Sequence, residues 1–382
     1  MGWYNWVMKS GGIKKKPRQS GLELLRIIAM IMIVAAHLSQ RGNWTWLIGG
    51  EHFTLNQFAM NVVICFGQVG VAIFFAITGY FLYNSKHYSW KRIFNVMRPT
   101  WFYSILFLVV AIIIGSSAAK FSWPLNGLVA HSILPITTNA YWFISAYIVL
   151  HLLLPYLKVW LDNLDLKSLS RLVLIVAGVL IIPNIISCFI TGSISPIFTF
   201  PAAIFYTIIG YMIHRFKDEL RRFSNLKLVF ISCAGIMLYA AASLLIHYVS
   251  TRFNYAGLSN DILINNMSLP CMMTAVPLVI VFSRQKFVNR LINYVAGLVF
   301  GVYLIHSNGF FINYFWREND ILNTATASGY SFPHFILYFA LTVFAVFCGC
   351  AIIEAIRKIS VSLIKKIIQP RLNEKTKKGR IG

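Results

Sequence analysis

The sequence predicts an all-α polytopic membrane protein of about ten transmembrane helices with both termini in the cytoplasm. Three observations carry this. Charged residues make up 12% of the 382 residues and hydrophobic residues 58%, against about 25% charged in a soluble domain. Mean hydropathy is +0.69. The formal net charge of +23 is distributed by position rather than gathered in a patch. Together these exclude a water-soluble enzyme, a disordered chain and a nucleic-acid binder.

A spanning helix needs about 20 mostly apolar residues. Ten runs qualify: 22–38, 58–83, 97–114, 141–161, 172–190, 197–213, 228–249, 267–282, 291–312 and 335–356. The eighth is short and interrupted by Pro270 and Pro277. The loops test the count. The expected outer loops hold four basic residues, one to a loop (Arg41, Lys120, Arg252 and Arg317), with none in the short loop 191–196, and Arg26 lies within the first span. The remaining Lys and Arg residues fall in the expected inner segments, as the positive-inside rule requires. The basic stretch Lys14, Lys15, Lys16 and Arg18 precedes a helix too long for a cleaved leader, so that helix is expected to act as an uncleaved anchor. After Ile356, Ile359, Leu363 and Ile367 recur near helical spacing among lysines. They predict a helix continuing onto the inner membrane surface and ending at Pro370. The chain thus divides into a basic cytoplasmic segment 1–16, one transmembrane domain 17–360 and a basic tail 361–382.

Six cysteines lie in or beside apolar runs without zinc spacing and read as small packing residues. No HExxH-like pair and no phosphate-binding glycine loop occurs, so neither a metal nor a nucleotide fingerprint is expected. Gly67, Gly70 and Gly79 read as sites of close helix packing.

Ionisable side chains inside a bilayer are costly, so each is a functional candidate. The first span supplies Arg26 and His37. Eleven residues at 100° each leave them about 20° apart on one face, and the rise of 1.5 Å per residue separates them by about 16 Å. That face must line something polar. Glu23, one turn before Arg26, can hold its guanidinium or face the headgroups. His306, near the outer end of the ninth span with Tyr303 one turn before it, can serve the chemistry or merely bond a helix carbonyl. Tyr141 and Trp142 can be membrane-belt aromatics or a stacking platform. His151 and His247 read as packing histidines.

Arg26-x10-His37 resembles the acyltransferase family 3 membrane proteins, which O-acylate sugars of surface polysaccharides. Phe74-Phe75-Ala76-Ile77-Thr78-Gly79-Tyr80-Phe81-Leu82 is similar to that family's FFxxSGYFL stretch, with Thr78 in place of Ser. Tyr141-Trp142-Phe143, followed by Leu154-Pro155-Tyr156-Leu157, resembles a segment typical of the capsule and exopolysaccharide branch. Phe300-Gly301-Val302-Tyr303-Leu304-Ile305-His306-Ser307-Asn308 resembles the family's GVYLIH block. One departure is that the family's Arg-x-x-Arg is absent: Arg92 and Arg98 stand six apart.

The resemblance implies an O-acetyltransferase of the bacterial plasma membrane with no permanently bound cofactor. Its co-substrate would be cytosolic acyl-CoA, expected to be acetyl-CoA, and its acceptor a hydroxyl of a polysaccharide or lipid-linked sugar. His37 would be the general base, with a transient acyl-imidazole as a second possibility, and Arg26 its partner in the seam. Lys91, Arg92 and Arg98 would meet donor phosphates at the inner face. His306, Tyr303, Tyr141 and Trp142 would meet the acceptor. A transporter or flippase for a lipid-linked sugar is the alternative, since a polar path through ten helices would read similarly. A polyprenyl-sugar glycosyltransferase would need acidic residues in the first outer loop, which offers only Glu51. A polysaccharide polymerase would need an arginine-rich outer loop.

Overall fold

Backbone donors and acceptors in hydrocarbon must be paired within the segment, so the apolar runs become helices. The computed structural model describes residues 18–45, 54–85, 90–114, 125–190, 199–253 and 267–378; the N-terminal stretch 1–17 lies outside them. No strand occurs among the described residues. The main helices are α1 Ser20–Arg41, α2 Leu55–Leu82, α3 Trp90–Ile114, α4 Leu125–Ile133, α5 Trp142–Asp162 and α6 Leu166–Ile190. They continue with α7 Thr199–Arg215, α8 Asn225–Arg252, α9 Leu269–Ser283, α10 Arg290–Ala296, α11 Val299–His306 and the short turn α12 Gly309–Phe311, which runs into a π-helical segment Ile312–Glu318. The last two are α13 Thr324–Ala327 and α14 Phe332–Lys378.

Every expected span coincides with a helix, but the lengths differ. Among the described residues six helices are long and apolar enough to cross a membrane, and the bent pair Arg290–His306 and Gly309–Glu318 would make a seventh. At 1.5 Å per residue, α7 with 17 residues and α9 with 15 reach only about 26 and 22 Å, short of a core of about 30 Å. Pro270 near the start of α9, with Ser268 accepting from Cys271 N, sets its late start. The ninth expected span is not continuous. It breaks at Ser307–Asn308 and bends by 64°. The expected outer loop 115–140 contains α4. α14 passes Pro370 as helix to Lys378, because proline removes one backbone donor yet its φ is helical.

The core is built on α2. Gly70 meets Ala29 O and Ile33 of α1, and Gly67 meets Ala36: a Cβ at either glycine would fall 2.6 Å from α1. On another face, α2 and α7 exchange glycines. A Cβ on Gly79 would lie 1.9 Å from Thr207 O, and one on Gly210 1.8 Å from Ala76 O, the small-residue approach of membrane helices. Ser39 Oγ donates to Met60 O at 2.9 Å. At the other end of α1, Ser20 Oγ donates to Asn293 Oδ1 at 2.9 Å and accepts from Asn289 N at 2.7 Å. Outer helices turn apolar side chains outward: Ile113, Leu174, Met237 and Phe344 are exposed, as lipid contact demands.

A second anchor joins α3, α11 and α14. Glu354, 2% exposed, accepts from Tyr103 Oη at 2.8 Å and from Arg357 Nε and Nη2 at 2.7 and 2.6 Å. A Cβ on Gly301 would lie 2.4 Å from its carboxyl carbon. Lys358 Nζ donates to Gly297 O.

Two outcomes are expected from these contacts. Gly79→Ala forces α2 and α7 apart and should cost about 1–3 kcal/mol, read as a lower melting temperature in detergent. Gly349→Ala, with nothing within 4 Å, should leave the melt unchanged or raise it slightly. Glu354→Ala strands Arg357, 15% exposed, and should cost about 3 kcal/mol; Glu354→Ala with Arg357→Ala should recover part of that loss.

Candidate active site

Arg26 and His37 do share one face of α1, and that face is not turned toward lipid. Ala29, Ile33 and Ala36 are committed to α2. At 100° per residue, Arg26, Met30 and His37 lie about 60–90° further around the helix; Arg26 and Met30 line cavities there, while His37 lines none of the three. Arg26 borders two of them. The first, about 1010 Å³, is basic: Arg18, Arg26, Lys217, Arg221, Arg284 and Lys286 all line it. The second is a seam of about 240 Å³ that starts at Arg26 and Met30, passes Thr78 and Tyr147, and ends at Tyr303. Its walls are mostly rings and aliphatic groups, among them Phe74, Phe143 and Phe300. Glu23 holds Arg26, with both carboxylate oxygens 2.9 Å from Nη1, and Arg26 lies 5.4 Å over the Phe81 ring.

Beyond Tyr303 stand two imidazoles. His37 and His306 have ring centroids 5.1 Å apart, and Tyr303 meets His306 edge-on at 6.2 Å. The residue that joins the imidazoles is Ser307, whose Oγ is 3.3 Å from His37 Nδ1 and 3.4 Å from His306 Nε2. His306 Nδ1 lies 2.6 Å from Val302 O. A carbonyl only accepts, so His306 Nδ1 carries the hydrogen and the neutral ring keeps its lone pair on Nε2. Ser307 therefore donates to His306 Nε2 and accepts from His37 Nδ1. Making all three bonds leaves His37 Nε2 as the open basic nitrogen.

The helix break makes this possible. Asn308 caps the next turn, its Oδ1 accepting from Phe310 N and Phe311 N at 3.0 and 3.4 Å, and its Nδ2 donates to Tyr141 Oη at 2.8 Å. Tyr141 Oη in turn donates to Leu304 O at 3.1 Å. Ser307, Asn308, Tyr141 and Trp142 then open on a third cavity of about 440 Å³, a vestibule also lined by Arg41 and Arg317. Asn139, another of its residues, adopts a left-handed φ of 55°, which asparagine tolerates.

Of the residues singled out from sequence, Arg26 and Tyr303 line the seam and Tyr141 and Trp142 line the vestibule, while His37 and His306 line neither and are buried between Tyr303 and Ser307. Tyr303 thus faces the seam rather than the vestibule. Lys91, Arg92 and Arg98 sit exposed on α3 and line none of the three cavities. His306 bonds a helix carbonyl, as one of its two readings has it, and also faces His37. Ser307, Asn308 and Arg41 were not singled out as site residues; the Ser307-Asn308-Gly309 run, a cap residue followed by glycine, was the signal for the break. The basic residues Arg18, Lys217 and Lys286 carried no signal beyond their side of the membrane.

A family model described as an acyltransferase domain matches residues 19–355. No curated protein and no solved structure matches the chain. With that match spanning all three cavities and the helices that form them, the chain belongs to acyltransferase family 3.

Proposed function

We propose that this membrane acyltransferase moves an acetyl group from cytosolic acetyl-CoA to a hydroxyl of a cell-surface polysaccharide or lipid-linked sugar, across the bacterial plasma membrane. In this reading ten helical segments thread the bilayer with both termini inside, the short α7 and α9 included. The observation that carries the reading is the run of cavities along one face of α1, with an imidazole pair between the seam and the vestibule. The basic cavity suits the phosphates of the donor, since arginine forks and lysine charges favour them. Arg284 is held by Leu220 O, Phe223 O and Asn225 Oδ1, and Arg221 pairs with Asp218. Arg18, Lys217 and Lys286 are the cations that would grip the phosphates, while Lys91, Arg92 and Arg98 would draw the donor to this face of the membrane.

From there the neutral pantetheine arm would run up the apolar seam past Tyr303, over the rise of about 16 Å from Arg26 to His37. His37 Nε2 would take the proton of the acceptor hydroxyl as its oxygen attacks the thioester carbon. The C–S bond breaks, and the coenzyme A thiolate leaves with the proton returned by the imidazolium. His306 and Ser307 hold His37 in the tautomer that exposes Nε2 and spread the charge it acquires. The acceptor would lie in the vestibule against Tyr141 and Trp142.

Purified protein with labelled acetyl-CoA and glycan tests the reading. His37→Ala should lower the rate by about 100-fold or more with unchanged membrane insertion; an active, correctly inserted variant would refute the assignment. Ser307→Ala should lower kcat by about 10-fold with donor KM unaltered, since a tautomer is freed rather than a contact to coenzyme A lost. Arg26→Gln should raise the KM for acetyl-CoA by about 10-fold and leave Glu23 without its partner. Coenzyme A release that persists in all three variants would favour a transporter with contaminating hydrolase.

A further inference from the structure

The vestibule is charged in a way that transfer to a neutral sugar does not need. Arg41, from the last turn of α1, and Arg317, from the π-helical segment, both line it. Neither makes an ion pair or side-chain hydrogen bond among the described residues, and among those residues no Asp or Glu lines the cavity. The acidic residues close to Arg317 in sequence do not serve it. Asp320 accepts from Thr324 N, Thr324 Oγ1 and Ala325 N, and Glu318 is exposed outside the lining.

Two like charges facing one cavity repel at close range. They also run against the positive-inside preference: of the four basic residues in the expected outer loops, two converge here. An anion between the guanidiniums removes the repulsion and gives each a charge-assisted partner. We infer that the acceptor carries a negative charge, the carboxylate of an acidic sugar or a phosphate borne by the glycan, which seats between Arg41 and Arg317. Seated there, the anion aims a neighbouring hydroxyl past Ser307 toward His37. The inference rests on the vestibule being the acceptor site of the transferase proposed above.

The test uses the surface glycan of the source cell, stripped of O-acyl groups by mild base, with labelled acetyl-CoA and the purified full-length protein. Three acceptors are compared: the glycan itself, the glycan with carboxylates reduced to alcohols, and the glycan with phosphate esters cleaved. Label should pass to the first and be lost from one of the other two. Loss on carboxyl reduction assigns an acidic sugar, and loss on phosphate cleavage a phosphate. Arg41→Gln and Arg317→Gln should each raise the half-saturating glycan concentration by about 10-fold with that for acetyl-CoA unmoved, and Arg41→Lys should recover part of the loss. Equal labelling of all three acceptors overturns the inference while leaving the transferase standing, as does a glycan requirement that neither substitution shifts. Absence of coenzyme A release from the unaltered protein overturns the transferase reading and this inference with it.

Discussion

The rotation of one helix decides the site. α1 carries Arg26 and His37, and whether they meet lipid or cavity depends on which of its sides is clamped. Gly67 and Gly70 of α2 let α1 approach until Ala29 O, Ile33 and Ala36 fill the space a Cβ would need. Side chains at those glycines would push the helix out and release its rotation. Ser39 at one end and Ser20 at the other hold the register by bonds to α2 and to the start of α10. With that side fixed, the 100° step of the helix leaves the polar stripe nowhere but the cavity run.

The second determinant is the break after His306. Irregular backbone at membrane depth survives only where it is buried in protein or lines a cavity, and here it does both. Asn308 satisfies the freed amides of the next turn, Tyr141 ties it to Leu304 O, and the unpaired side opens on the vestibule. The same residues therefore meet the hydrogen-bonding debt of the break and present a hydroxyl between two imidazoles. Glu354 and Tyr103 steady the base of this arrangement by holding α11 between α3 and α14.

Much of this was legible in the sequence because the signals are local. Apolar length marks helices, and the Arg26–His37 spacing marks a face without any tertiary information. The close-packing glycines were legible too, although not their partners: Gly79 meets Thr207 across more than a hundred residues of chain. What failed to show has a common cause. Positive-inside counting assigns a residue to a side of the membrane, but not to a position in its plane, so Lys91, Arg92 and Arg98 could not be told from Arg18, Lys217 and Lys286. Window hydropathy ran straight through Ser307-Asn308 because the residues on both sides are apolar. The pairing of His37 with His306 joins the first and ninth apolar runs, which no periodicity reports.

The distribution of polarity along the cavities bears on transferase against flippase. A sugar or its diphosphate carried through the protein would need donors and acceptors along its whole route, because a buried polar group left unpaired costs free energy. Here most of the polarity lies toward the ends, with Thr78 and the Tyr147 hydroxyl between them. Basic residues gather at one, and imidazoles, amides and two arginines at the other. Between them the seam is walled by Phe74, Phe143, Phe300 and Tyr147, and closed by Tyr303. In the proposed transfer a thin, uncharged arm would fit such a passage while its charged head stays behind. A hydrated sugar would have to shed much of its water against these rings, with only Arg26, Thr78 and the hydroxyls of Tyr147 and Tyr303 to replace it. Group transfer needs only the acyl group to cross this stretch, and that demand fits a seam polar at its two ends and mostly apolar between.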